Sequence, residues 1–296
     1  MSDRHAPRCG FIGLGAMGAP MARHLHRAGL LAGVANRSHG KALLLAEELG
    51  VDAFAEPGEL GRHCDVVLLC VTADADVLGL VRVLGPFLHP GAVVVDHSTV
   101  AAGTARAAAG ELARHRVHFL DAPVSGGVEG AIHGGLSVMV GGEGEALERA
   151  RPALEAYGKR ITHMGAVGSG QATKAVNQVL VAGIAQAVCE GLALGEALGL
   201  DPERLLPTLG AGAAGNWFLE KRGATMLRDA FDVGFKLSLL HKDLGIVRAM
   251  ALSAGIRDTV IEQSLADYAE LMARGHGDED ISALIRLKRE GQPQSG

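Results

Sequence analysis

Arg8-Cys9-Gly10-Phe11-Ile12 reads as a short buried strand that runs straight into Gly13-Leu14-Gly15-Ala16-Met17-Gly18. This G-x-G-x-x-G precedes a helix expected from Ala16 to about Ala28, and it constrains the fold more than any other stretch. In a chain with 42 glycines the spacing alone would mean little. At a strand-to-helix turn each glycine has a task. The first permits the tight turn, the second lets a pyrophosphate approach the backbone, and the third lets helix and strand pack closely. The helix N-terminus then offers free N–H groups and a positive dipole end to phosphates. The pattern implies dinucleotide binding on a doubly wound α/β sheet, not a merely structural turn.

The alternation of strand and helix continues. A second strand, Leu31 to Ala35, ends in Asn36-Arg37-Ser38, about where an NAD-specific enzyme places a carboxylate on the ribose 2′-hydroxyl. Here a cation and a hydroxyl stand instead, a pair suited to a 2′-phosphate, so NADP is expected as the preferred cofactor with NAD possible. The bland alternative is an Arg37 that stacks on adenine or faces water. Lys41 to Leu49 reads as helix. Asp65 to Val71 is a continuous apolar strand of the parallel-sheet kind, ending in the loop Thr72-Ala73-Asp74. Val93 to Asp96 is the next strand and leads into His97-Ser98-Thr99, whose hydroxyls either face a nicotinamide or cap the following helix. His118 to Asp121 precedes Ala122-Pro123-Val124-Ser125-Gly126-Gly127, a turn that exposes successive backbone N–H groups suited to a carboxylate. Ser137 to Val140, a helix from Glu143 to Tyr157 and a strand from Arg160 to His163 complete a first domain over 1–163.

From Gly168 onward strand patterns vanish, so 164–296 is expected to be all-helical. Gly168-Ser169-Gly170-Gln171-Ala172-Thr173-Lys174-Ala175-Val176-Asn177 opens a long Ala/Val/Leu-rich helix to about Leu198, with only Glu190 and Glu196 as further charges. Lys174 and Asn177 project from one face of it. A lysine there either snorkels to water or is paired and put to use. Asp201-Pro202 starts another helix, and others are expected over Asn216–Met226, Leu237–Ser253 and Thr259–Arg274. Trp217 is expected to pack, not bind. His241-Lys242-Asp243 follows Gly234-Phe235-Lys236, and alone such a Lys-Asp pair would read as a solvated surface feature.

Composition removes other classes. A net charge of −5 and 3% aromatics argue against nucleic acid as the main partner. With 48% hydrophobic residues the chain buries a large core. Four cysteines without C-x-x-C pairing read as free core thiols in a reducing cytoplasm, and no metal site is expected. The N-terminus has no signal-peptide core. Ala175 to Leu194 comes closest to a membrane span, but Asn177, Gln178, Gln186 and Glu190 favour a buried helix of a soluble, cytoplasmic protein.

Taken together these segments resemble the β-hydroxyacid dehydrogenase family, the group of 3-hydroxyisobutyrate dehydrogenase, tartronate semialdehyde (2-hydroxy-3-oxopropionate) reductase and glyoxylate/succinic semialdehyde reductase. The resemblance spans nearly the whole chain. It rests on Phe11 to Gly18, Asp121 to Gly127, Gly168-x-Gly170-x-x-x-Lys174-x-x-Asn177 and Lys242-Asp243-Leu244. It implies a 6-phosphogluconate dehydrogenase-like architecture, a Rossmann domain joined by a long helix to an all-α domain. It also implies roles. Lys174 would protonate the carbonyl oxygen as hydride arrives and act as base in reverse. Asn177 and Ser125-Gly126-Gly127 would hold the substrate's hydroxyl and carboxylate. Lys242 would reach cofactor or substrate, Phe235 and Asp243 would shape the pocket, and Thr99 would sit by the nicotinamide. The cofactor would also meet Gly13 to Gly18, Asn36 to Ser38, Val71 and Thr72.

The chemistry suits these residue types. Hydride addition to an aldehyde needs a proton donor within reach of the developing alkoxide, and a poorly solvated amine has its pKa pulled down towards neutrality. With phosphate affinity in one domain and proton transfer in the other, the active site is expected in the cleft between them. The substrate would be a small aldehyde acid of the tartronate or methylmalonate semialdehyde type, with glyoxylate or succinic semialdehyde as the alternative. Lys174 counts against the imine reductases. Val176 stands where 6-phosphogluconate dehydrogenases carry histidine, and neither Tyr157 nor Tyr268 has the lysine of a short-chain dehydrogenase four residues on. A non-catalytic NADP-binding scaffold is the alternative from another class. The long apolar helices point to a homodimer or homotetramer.

Overall fold

The computed structural model describes residues 6–290. It packs as two compact units, 1–174 and 175–296. The first unit is a twisted sheet of nine strands with helices on both faces. Its strands are β1 Cys9–Ile12, β2 Leu31–Ala35, β3 Asp52–Phe54, β4 Val66–Leu69, β5 Val93–Asp96, β6 His118–Asp121, β7 Val124–Ser125, β8 Leu136–Gly141 and β9 Gly158–Gly165. The helices between them are α1 Gly18–Arg27, α2 His39–Leu49, α3 Pro57–Gly61, α4 Asp74–Leu84, α5 Ala102–Ala113, α6 Gly127–Ile132 and α7 Gly144–Glu155.

The order β3-β2-β1-β4-β5-β6 is parallel throughout. It reverses between β1 and β4, the place where ligands bind outside the strands' carboxyl ends. The central strands β4 and β5 are apolar apart from Asp96 at the β5 end, because both faces are covered. Phe11, Leu68, Val93 and Val95 pack into one core, and their neighbours Ile12, Leu69 and Val94 into the other. Beyond β6 the pattern changes: β8 runs antiparallel to β6 and β7, and β9 pairs parallel with β8. Between β6 and β8 the chain passes through β7, the Ser-Gly-Gly turn and the six-residue α6. Two boundaries differ from the expectation. Helix α1 begins at Gly18, leaving residues 15–17 as an open turn, and the short β3 and α3 carry no periodic signal.

The second unit carries α9 Pro202–Ala211, α10 Trp217–Leu227, α11 Leu237–Ala254, α12 Thr259–Ala273, a 3-10 turn Ile281–Leu284 and α13 Ile285–Lys288. The 29-residue α8, Ser169–Ala197, begins in the first unit and continues into it. Helix α8 is long and apolar enough to cross a membrane by length and composition. Its polar side chains are nevertheless bonded within the unit: Gln178 to Asp243, Gln186 to Ser264 and Asp267, and Glu196 to Arg289. Asp201 caps α9 by accepting from Glu203 N–H at 3.0 Å, as its place before Pro202 suggests. Trp217 departs from the expectation of packing. It is 53% exposed at the first turn of α10, beside the Arg222 guanidinium, and lines a surface hollow with Leu206, Pro207 and Asn216. The four cysteines are free thiols, and burial pushes Cys64 and Cys189 each up to about 12.

Candidate active site

The three motif glycines occupy three different environments. Gly13 has φ +96, and a side chain there would stand 2.2 Å from the Cys70 carbonyl at the end of β4. At Gly18 a Cβ would meet Gly13 O at 1.9 Å, so only glycine lets α1 start against the turn. At Gly15 a Cβ would meet nothing within 4 Å. Gly15 is therefore not needed for packing; the open space above it is a cradle that a phosphate would fill. Leu14, Gly15 and Ala16 border a hollow that also exposes Lys41, a cation in the first turn of α2 that motif reading passed over. This arrangement fits the pyrophosphate of a dinucleotide.

The β2 end is less committed. Asn36 accepts from Leu14 N–H at 2.9 Å and donates to Ser38 O at 3.1 Å, tying the glycine turn to the second strand. Arg37 has an 89% exposed side chain, 3.5 Å from Asp76. Among the described residues no carboxylate occupies the ribose position at 36.

At the ends of β5 and β6 lies a buried polar cluster of which the motifs marked only Asp121. The strands are in register with Asp96 opposite Asp121, and both carboxylates are fully buried. Asp96 accepts from Ser98 N–H with one oxygen, and burial pushes it up to about 7. Asp121 caps the start of α8. Its two oxygens accept from Gly168 N–H at 2.7 Å and Gln171 N–H at 2.8 Å. Burial raises its pKa, and these amide donors oppose the rise. A Cβ at Gly170 would stand 2.4 Å from the backbone carbonyls of Asp121 and Met139 and 2.9 Å from Asp121 Oδ2, so this glycine of the lysine motif lets the helix end sit flush on the ends of β6 and β8. His97 is held between Ala122 O and the Tyr157 hydroxyl, each at 2.7 Å. A carbonyl only accepts, so Nδ1 carries the proton and Nε2 accepts from Tyr157. Burial pulls His97 down to about 4, which keeps it neutral with its one N–H held on Ala122 O.

Lys174 is 8% exposed, and its Nζ donates to Val124 O at 2.9 Å. Snorkelling to water is therefore excluded in this conformation. The structure brings the amine to the residue preceding Ser125-Gly126-Gly127. Gly126 and Gly127 have φ +132 and +64, successive values that favour glycine, and they lead into α6. Val71 N–H is bonded to Ser98 Oγ at 2.9 Å, so Ser98 serves the scaffold while Thr99 beside it is half-buried and Thr72 is exposed.

In the second unit a chain of side chains joins the remaining candidates. Asn177 Nδ2 donates to Gln178 Oε1, and Gln178 Nε2 donates to Asp243 Oδ2, both at 2.8 Å. The other Asp243 oxygen lies 2.9 Å from Lys242 Nζ. Asp243 is 3% exposed while the Lys242 side chain is 31% exposed, so the carboxylate is an internal anchor and the amine beside it is partly solvated. Gln178 is the member that sequence reading missed; only its interruption of an apolar helix hinted at it. Phe235 is fixed through its backbone, whose N–H donates to Asp280 Oδ2 at 2.9 Å. Among the described residues no cluster of histidine, cysteine and carboxylate groups could hold a metal ion.

Comparison with known proteins agrees with this geometry. Residues 8–165 match the NAD-binding domain of 6-phosphogluconate dehydrogenase. Residues 168–288 match the NAD-binding domain of NADP-dependent 3-hydroxyisobutyrate dehydrogenase. The chain is 36% identical to an NAD-dependent L-serine dehydrogenase of Pseudomonas aeruginosa, over 94% of this chain and 96% of that protein. It is 34% identical to the 2-hydroxy-3-oxopropionate reductase of Escherichia coli, with the same coverage. The solved structure of Mycobacterium tuberculosis 3-hydroxyisobutyrate dehydrogenase with L-serine superimposes with a TM-score of 0.87 at 32% identity, covering 96% of this chain and 100% of that one. The chain thus belongs to the β-hydroxyacid dehydrogenase family and is a nicotinamide-dependent oxidoreductase acting on hydroxyl groups.

Proposed function

We propose that the protein reduces a small aldehyde acid of the tartronate or methylmalonate semialdehyde type to its hydroxyacid, preferring NADP, with Lys174 as general acid and, in the oxidative direction, general base. The observation that carries this reading is the buried Lys174 amine, held at 2.9 Å on Val124 O beside Ser125-Gly126-Gly127. An ammonium has three donors, so one can stay on Val124 O while another faces the substrate oxygen. A bound nicotinamide supplies the hydride to the carbonyl carbon. As charge develops on the oxygen, Lys174 Nζ gives up its proton and becomes a neutral amine, recharged afterwards from solvent. The neutral His97 cannot substitute, because both its ring nitrogens are engaged.

The remaining roles follow from chemistry. The amides of Gly126 and Gly127 and the Ser125 hydroxyl suit the substrate carboxylate. Asn177 is assigned to the substrate hydroxyl, Lys242 to cofactor or substrate, and Phe235 and Asp243 to the pocket's shape. Gly13 to Gly18, Asn36, Val71, Thr72 and Thr99 are assigned to the cofactor. Arg37 and Ser38, with Lys41 nearby, favour the 2′-phosphate of NADP and also suit an NADPH-dependent reductase of glyoxylate or succinic semialdehyde. The inward bonding of the α8 polar residues supports a soluble, cytoplasmic protein. Exposed Val176, Leu180, Ile184 and Leu194 along α8 support a homodimer or homotetramer.

The test is a panel of the four aldehydes with NADPH and NADH, compared by kcat/KM. NADPH is expected to lead by at least about tenfold, roughly 1.4 kcal/mol of transition-state stabilisation. Equal or better use of NADH, the cofactor in the name of the Pseudomonas relative, would contradict the reading of Arg37. No turnover of any of the four would contradict the substrate class.

A further inference from the structure

Gln171 lies one turn before Lys174 on α8, 1% exposed, and the proposed reaction gives it no role. Its side chain behaves as a detached peptide group. Nε2 donates to Ser98 O at 2.7 Å, and Oε1 accepts from Val100 N–H at 3.2 Å. The two bonds together fix the amide's orientation, since a flipped amide would set donor against donor and acceptor against acceptor. The groups it holds flank Thr99 on either side. Ser98 in turn holds Val71 N–H through its hydroxyl. Gln171's own backbone N–H is meanwhile bonded to Asp121 at the helix start.

From this geometry we infer that Gln171 is a positioning residue: it locks the Ser98–Val100 turn and, through Ser98, the β4 end to the first turn of the lysine helix. The loop assigned to the nicotinamide and the amine that donates the proton are then carried as one rigid piece. The physical reason is one of tolerance. Hydride and proton must reach atoms of a single carbonyl group, and small misplacements of reacting groups cost rate steeply. A buried side-chain amide with both ends satisfied is a stiff connector, because breaking either bond strands a polar group away from water. The inference rests on the reading of Lys174 given above, and its test has a readout independent of turnover.

Two variants of the full chain serve, Gln171→Leu and Gln171→Glu. In Gln171→Leu, hydrogen exchange at the Val100 amide, followed in the absence of substrate, is expected to speed up by at least about tenfold as its acceptor is lost. With NADPH and tartronate semialdehyde, kcat is expected to fall by about tenfold or more while the KM for NADPH stays within about threefold. In Gln171→Glu the introduced carboxyl sits in a buried site, so its pKa is raised. Protonated, it donates to Ser98 O and accepts from Val100 N–H; ionised, it faces the Ser98 carbonyl with like charge and the lock opens. The ratio of variant to parent kcat is therefore expected to rise as pH falls from about 8 to about 6, a response that a merely space-filling role would not give. If Gln171→Leu fails to fold, this ratio decides. A flat ratio, or Gln171→Leu with parental Val100 exchange and parental kcat, would overturn the lock. Should Lys174→Ala lose turnover while Gln171→Leu keeps it, the lock fails and the proposed reaction stands. Should the parent reduce none of the four aldehydes while Val100 exchange still accelerates in Gln171→Leu, the reaction fails and the lock stands.

Discussion

The two units hold their functional groups in different ways. In the first, the parts assigned to the cofactor and to the substrate carboxylate are mostly backbone: the glycine turn and the β4 end for the one, the Ser-Gly-Gly amides for the other, each set by where a strand stops. In the second, the candidates are side chains held by other side chains: Asn177 through Gln178 to Asp243 and Lys242, and the Phe235 loop on the Asp280 carboxylate. A backbone site announces itself in sequence because only glycine satisfies it. A site held by side chains does not, because Gln178 or Asp280 could stand at many positions and only the fold shows which one holds the others.

This contrast can be broken by substitution. The largest stability effect is expected at Asp280→Ala. Asp280 is 1% exposed and receives the N–H groups of Gly234, Phe235 and Ser282 together with the Ser282 hydroxyl, with Arg222 at 3.4 Å. Removing it leaves these donors without their acceptor, at a cost of about 3–5 kcal/mol by urea denaturation. A cost below about 1 kcal/mol, the scale of an exposed pair, would mean that the second unit does not depend on its buried polar connections.

Gly15→Val sharpens the other side of the contrast. The space above Gly15 is open, so thermal stability is expected to stay within a few degrees of the parent. Affinity for NADPH is expected to fall by about 100-fold, roughly 2.7 kcal/mol, as the side chain fills the cradle. Unchanged affinity would show that the turn does not hold the pyrophosphate.

How much was legible follows the same division. The parallel strands, the glycine turn and the long α8 could be read because apolar runs and glycine spacing record backbone geometry directly. The Asp121–Gly127 and Gly168–Asn177 segments could be read as family signatures. Their physical connection could not: Asp121 caps the helix whose start needs Gly170 to be without a side chain, a contact between residues about 50 apart in the chain. The antiparallel direction of β8 could not be read, because strand patterning does not encode direction. Trp217 was expected inside because tryptophan is apolar, yet it stands at a helix start against solvent and an arginine. Gln178 looked like an interruption of an apolar helix and Gln171 like a spacer within the lysine motif, and both are connectors.

The most direct test of the account is single-turnover reduction of the best aldehyde by NADPH in Lys174→Ala and Lys174→Arg. The guanidinium keeps its charge but does not release its proton near neutrality, so both variants are expected to slow by about 10²–10⁴-fold while binding NADPH as the parent does. A parental rate in Lys174→Ala would contradict it, leaving the buried amine a structural group on Val124 O and the proton source elsewhere.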